Sequence, residues 1–168
     1  MIFGLRSFCT RFVLPFLFPL LAAFTCAPVS AKPLHGIVSH VTDGDTLWMR
    51  PLAGPAVPVR LQGLDAPEIC QAFGKQARDA LAARVLHRPV QVATRARDKY
   101  HRTVGRVSLQ DQDIGAWLVA GGYAWSAHYR NRAGPYGDEE RQARRGLWAE
   151  PAVEPRLFRK RHGSCHVG

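Results

Sequence analysis

The stretch GIVSHVTDGDTLWMRPLAGPAVPVRLQGL, residues 36–64, decides the fold. Residues 36–41 are a β-favouring run, Asp43-Gly44 is a turn signal, and residues 46–49 resume the extended pattern. Residues 51–58 are rich in Pro and Gly and read as a loop, after which residues 59–64 alternate as a third strand does. Three strands joined by short connections make a meander.

Outward from the meander, Phe73, Ala77, Ala80, Leu81 and Val85 fall at helical spacing behind the helix-start residue Pro67, and His87-Arg88-Pro89 stops that helix. Residues 90–93 and 104–109 read as two more strands, linked by a charged loop over 95–102. Asp113 is placed to cap a second helix whose Ile114, Trp117 and Leu118 share a face and whose end is Gly121-Gly122; Tyr136, Glu140, Ala143 and Leu147 mark a third. Five short strands with an inserted helix predict an α+β, mainly β chain: a five-stranded Greek-key barrel of the oligonucleotide-binding (OB) type with about three helices, with an open α+β sheet as the alternative.

The 168 residues suit one domain, and the 46% hydrophobic content argues against disorder. At the amino end, Arg6 and Arg11 precede an apolar run over 12–27 containing Pro15 and Pro19, and Val29-Ser30-Ala31 supplies a small-x-small pattern before Lys32-Pro33. The reading is a secretory signal peptide over 1–31, cut after Ala31, rather than a stable membrane anchor. A catalytic or binding domain over 32–150 and a basic C-terminal tail over 151–168 follow. Cleavage leaves 137 residues with a net charge of about +8, against +10 for the whole chain, and retains two cysteines, Cys70 and Cys165. An even pair in an exported, periplasmic or extracellular protein makes a disulfide one reading and two free thiols the other. The positive surplus suggests an anionic partner, although the Phe158-Arg159-Lys160-Arg161-His162 run also reads as a solvated terminus.

Two acidic clusters carry the candidate chemistry: Asp43-Gly44-Asp45-Thr46 at the first turn and Asp65-Ala66-Pro67-Glu68 after the third strand. A meander can return the end of strand three beside the start of strand two, so that Asp45 and Asp65 converge. Two carboxylates with a backbone carbonyl and water form an oxygen-rich site suited to Ca²⁺ or Mg²⁺. Arg60, on the strand leading to Asp65, and Arg102 add guanidiniums able to hold phosphate oxygens through paired hydrogen bonds. The seven histidines show no ligand-type spacing.

These motifs, taken in order, resemble the thermonuclease (staphylococcal nuclease-like) family. Val41-Thr42-Asp43-Gly44-Asp45-Thr46 is similar to its first signature, Val59-Arg60-Leu61-Gln62-Gly63-Leu64-Asp65-Ala66-Pro67-Glu68 to its second, and Asp98-Lys99-Tyr100-His101-Arg102 to its third. Gly121-Gly122-Tyr123-Ala124 and Arg145-Gly146-Leu147-Trp148 extend the likeness, which spans residues 36–148. The resemblance implies a metal-dependent, sugar-nonspecific endonuclease acting as a monomer on DNA and RNA, preferring single strands and leaving 3′-phosphates. It implies Ca²⁺ held by Asp45, Asp65 and the Ala66 carbonyl, with Asp43 in the outer shell. Glu68 would act as general base on the attacking water or position it, Arg60 and Arg102 would be the transition-state stabilisers, and Lys99 and Tyr100 contacts to a neighbouring phosphate.

The chain departs from that pattern in four places. Ala66 stands where the family often has Thr, His101 replaces the usual Gly before Arg102, with Arg106 as a rival guanidinium, and the segment between Glu68 and the first helix is short. The base-stacking tyrosines are not cleanly reproduced, leaving Trp125 and Tyr129 as substitutes. The alternative function is a nucleic-acid-binding OB module without catalysis, whose mark would be loss of the acidic and arginine positions.

Overall fold

The computed structural model describes residues 32–128, 134–142, 145–149 and 151–165. The opening third forms the expected meander: β1 (Leu34–Val41), β2 (Thr46–Pro51) and β3 (Val57–Leu61) pair antiparallel in sequence order. Side-chain alternation explains the pairing register, since Val38, Leu47, Met49, Val59 and Leu61 all point into one core while Ile37 and Trp48 face outward. After β3, the two-residue strand β4 (Leu64–Asp65) leaves the barrel, and α1 (Gly74–Val85) lays Ala77, Leu81 and Val85 into the same core. Residues such as Leu47, Leu61 and Leu81 are almost wholly enclosed, and truncating one to Ala costs about 2–5 kcal/mol.

The barrel is completed by β5 (Pro89–Arg97), antiparallel to β1, and β6 (Thr103–Leu109), antiparallel to β5. A parallel pairing of β6 with β3, setting Val59 opposite Thr103 and Arg60 opposite Val104, closes the five strands on themselves. This order, β3-β2-β1-β5-β6 and back to β3, is the OB-type barrel predicted from the sequence. Strand β5 runs to Arg97, through part of the stretch expected to be a loop. Its exposed residues beyond the bulge at Thr94/Ala96 pair with β6 through backbone hydrogen bonds, which need no apolar pattern.

The remaining elements lie around the barrel. Strand β7 (Gln112–Asp113) folds back antiparallel on the end of β6, and α2 (Ile114–Ala120) is capped by Asp113, whose carboxylate accepts from the Gly115 and Ala116 amides. Strand β8 (Trp125–Ser126) pairs with β4 and sets Trp125 opposite Asp65. The third predicted helix is found as two pieces, α3 (Gly137–Gln142) and a 3₁₀ turn over Gly146–Trp148, the latter opening on Gly146 with φ +57° against the Gly122 backbone. A fourth helix, α4 (Pro155–His162), occupies residues read from sequence as a solvated basic tail. Among the described residues no helix is long and apolar enough to cross a membrane.

Candidate active site

Asp45 is placed by the turn between β1 and β2. Asp43 turns its carboxylate back to accept the Asp45 amide at 3.0 Å, and the Thr42 amide reaches the Thr46 carbonyl at 2.9 Å. Gly44 is required by close approach: a Cβ there would lie 2.6 Å from the Ala66 methyl and 2.7 Å from that of Ala77. The turn is thus pressed against both α1 and the segment after β4. The Leu61 amide donates to the Asp45 carbonyl at 2.8 Å, and the Ala66 amide donates to Asp45 Oδ2 at 2.9 Å.

These contacts bring the two acidic clusters together. Arg60 Nη2 lies 2.9 Å from Asp45 Oδ2 and 3.2 Å from Asp65 Oδ1, while Nη1 donates to the Leu61 and Leu64 carbonyls at 2.8 and 3.1 Å. One guanidinium therefore braces both carboxylates and the bend between β3 and β4. Burial, reinforced by the negative charge of Asp43, pushes the Asp45 carboxyl up to about 6 in spite of Arg60 and the Ala66 amide. Asp45 is a carboxylate for which more nearby positive charge would be favourable.

Arg102 enters the same cleft from the loop between β5 and β6. Asp98 organises that loop, accepting the Tyr100 and Arg102 amides on Oδ1 at 2.9 and 3.0 Å and Arg102 Nε on Oδ2 at 2.8 Å. Burial works against its ionisation, but the hydrogen bonds from Arg102 and Tyr100 outweigh it and hold the Asp98 carboxyl below its usual range. His101 adopts φ +61°, the left-handed conformation for which glycine is the usual choice. Asp98 holds the turn in this conformation, and Arg102 Nη1 reaches Thr46 Oγ1 at 3.2 Å. Arg106, the sequence-level rival, pairs instead with Asp113 at 3.2 Å and does not line the cleft. Tyr100 lines it with an exposed ring, flanked by Lys99 Nζ at 5.0 Å and the Arg102 guanidinium at 5.4 Å from the ring centroid.

Asp43, Asp45, Arg60, Asp65, Ala66, Glu68, Tyr100 and Arg102 thus share one cleft of about 690 Å³. The short connection after Glu68 is closed by a Gln71 amide bond to the Glu68 carbonyl at 2.8 Å and ends at Phe73 with φ 65°. Trp125 is buried edge-on against Trp148, which removes it as a free stacking platform; Tyr129 lies outside the described residues.

The wall opposite the barrel comes from the C-terminal segment. Cys70 and Cys165 form a disulfide across 95 residues, and α4 directs Arg159 onto Asp65 Oδ2 at 2.8 Å and Glu68 Oε1 at 2.9 Å. Sequence reasoning assigned Arg159 no role. The signal available was the position of Cys70, two residues past Glu68: a bond from there to Cys165 obliges the basic run just before Cys165 to lie beside the acidic cluster.

The donor set suits a hard divalent cation, because two carboxylates already gather around one positive nitrogen and the surrounding donors are oxygen. Among the described residues no three His, Cys, Asp or Glu side chains converge at ligating distance. A cation here would draw its remaining ligands from backbone carbonyl and water.

Comparison with known proteins agrees with this geometry. The family model "Staphylococcal nuclease homologue" matches residues 58–150. The chain is 37% identical over 155 residues to protein ParB of Escherichia coli, covering 83% of this chain and 87% of that one. It is 36% identical over 141 residues to a micrococcal nuclease of Shigella flexneri, covering 75% and 80% of the two chains. An uncharacterized endonuclease of Haemophilus influenzae is 35% identical over 127 residues, covering 73% and 71%. The paired carboxylates on Arg60, the barrel that carries them and these likenesses together place the chain in the staphylococcal nuclease family.

Proposed function

We propose that the protein is a Ca²⁺-dependent, sugar-nonspecific endonuclease that hydrolyses phosphodiester bonds in DNA and RNA, prefers single strands, leaves 3′-phosphate and 5′-hydroxyl ends, and acts as an exported monomer in the periplasm or outside the cell. The observation that carries this reading is the convergence of Asp45 and Asp65 on Arg60, with Glu68 and Arg102 lining the same cleft. The nuclease and endonuclease names of the relatives support it, as does the disulfide, a bond typical of oxidising compartments.

Asp45, Asp65 and the Ala66 carbonyl would hold the cation, with Asp43 in the outer shell. Bound there, Ca²⁺ would supply Lewis-acid polarisation of a phosphoryl oxygen. Arg60 and Arg102 stabilise the charge that grows on the phosphoryl oxygens, and Lys99 and Tyr100 hold a neighbouring phosphate. Glu68 takes a proton from the attacking water as the new oxygen–phosphorus bond forms. The bond from phosphorus to the 5′ oxygen breaks, and that oxygen leaves with a proton from solvent.

The test is digestion of single-stranded DNA by the purified protein, first with Ca²⁺ and then with a chelator. Cutting is expected in the first case and abolished in the second. Full activity in chelator would remove the metal from the mechanism, and no cutting under either condition would favour a binding module.

A further inference from the structure

Helix α4 brings a third guanidinium into the cleft. Arg159 Nη1 donates to Glu68 Oε1 at 2.9 Å and to Asp65 Oδ1 at 3.2 Å, and Nη2 donates to Asp65 Oδ2 at 2.8 Å. The Cys165 amide completes the set with a 3.4 Å contact to Glu68 Oε2. Every oxygen of the two carboxylates therefore accepts from the C-terminal segment.

The three cleft arginines differ in what holds them. Arg60 donates to two backbone carbonyls as well as to Asp45 and Asp65, and Arg102 donates to Asp98 and Thr46. Arg159 places its outer nitrogens on carboxylates, and its side chain is the most exposed of the three, 35% against 19% and 26%. A guanidinium paired with a carboxylate can exchange that partner for a phosphate without losing hydrogen bonds, because both acceptors match its fork. Arg60, tied to backbone carbonyls through Nη1, has only Nη2 to offer a phosphate and stays where the bend holds it. The seating of α4 is also light: Pro155 is its buried residue and Leu157 is 45% exposed. The segment is held by Arg159 itself, by the Gln71 amide on the Val153 carbonyl and by the Cys70–Cys165 bond six residues beyond Arg159.

We propose that Arg159 is a phosphate-binding residue of this active site, delivered by the disulfide-anchored helix α4 and parked on Asp65 and Glu68 until nucleic acid arrives. The proposal rests on the nuclease reading and adds a residue to it. In the free protein Arg159 competes with a divalent cation for Asp65 and masks the base. On contact with substrate it transfers to a phosphate and releases both carboxylates, so nucleic acid and metal strengthen each other's binding, and by linkage the effect is reciprocal.

Two equilibrium measurements test this without turnover: calorimetric titration of Ca²⁺ into the substrate-free protein, and fluorescence anisotropy of single-stranded oligothymidylate in chelator at several salt concentrations. Arg159→Ala is expected to bind Ca²⁺ about 5-fold or more tighter, a change at the low end of ordinary coupling between sites. It should bind the oligonucleotide more weakly, with a salt slope shallower by about 0.7, the loss of one phosphate contact on a single strand. Arg159→Lys should retain the wild-type salt slope, and Cys165→Ser should move both affinities in the direction of Arg159→Ala by a smaller factor. Loss of both affinities would make Arg159 a brace for the carboxylates, and no change in either would make it an ordinary ion pair; each overturns the proposal. If the wild-type protein neither takes up Ca²⁺ nor cuts DNA, it is the nuclease reading that fails. If the wild type does both and Arg159→Ala moves neither affinity, only the assignment of Arg159 falls.

Discussion

The two walls of the cleft are built in opposite ways. On the barrel side, Asp45, Arg60 and Asp65 sit on strands or on turns stitched to them by backbone hydrogen bonds, and the core behind them is closed. On the tail side, Arg159 sits on an eight-residue helix with one buried residue, tied down by ion pairs and a covalent bond. The difference teaches that one half of the site is made by folding of the barrel, whereas the other is attached to it through ion pairs and one covalent bond.

Glu68 lies where the walls meet, and replacing it tests the whole cleft. Glu68→Ala should lower kcat by at least ~10²-fold if its carboxylate handles the proton. Turnover close to wild type in a steady-state assay would eliminate that role.

Cutting the attachment comes next in size. A double Cys70→Ser, Cys165→Ser variant should lose up to about 4.7 kcal/mol of unfolding free energy, because the bond closes a 95-residue interval in the unfolded chain. The circular dichroism of the barrel should persist in that variant. Urea melts that superimpose on the wild type would show that the tail wall is held without the bond.

Asp45 sharpens the comparison from the barrel side. Its folded pKa of about 6 stands above the ordinary 3.8, so the folded state holds the proton more tightly than the unfolded chain does. Metal-free protein should therefore lose stability as pH rises from about 4 to about 6, then level off. Asp98 acts in the opposite sense and lower down, its contribution being lost as pH falls below the usual carboxylate range. Asp45→Asn should remove the loss between pH 4 and 6, and urea unfolding at several pH values would reveal a variant that keeps it.

The smallest effect is expected at the rim. Lys99→Ala should reduce the salt slope of oligonucleotide binding by about 0.7 and leave folding unchanged. An unaltered slope would mean that Lys99 touches no phosphate.

The same contrast explains what the sequence made legible. Strand alternation through residues 36–64 places side chains by local rules, so the meander and the meeting of Asp45 with Asp65 could be anticipated from spacing. The orientation of Arg102 was harder to read, since His101 stands at a left-handed position normally filled by glycine and Asp98 supplies the missing constraint. Arg159 was missed because its partners lie 91 and 94 residues earlier, where no periodicity connects a basic run to carboxylates and only the pairing of Cys70 with Cys165 does. The division of the third helix at Gly146 likewise depends on backbone contact with Gly122, a tertiary constraint rather than a propensity.

The parallel seam between β3 and β6 has a consequence for the unfolded chain. Arg60 and Arg102 come from the two strands, or their ends, that meet only when the barrel shuts, a pairing over some 44 positions of chain. Such distant pairing is among the slower events of folding. A nascent or unfolded chain therefore lacks the juxtaposition of Arg60 and Arg102 that the closed barrel supplies.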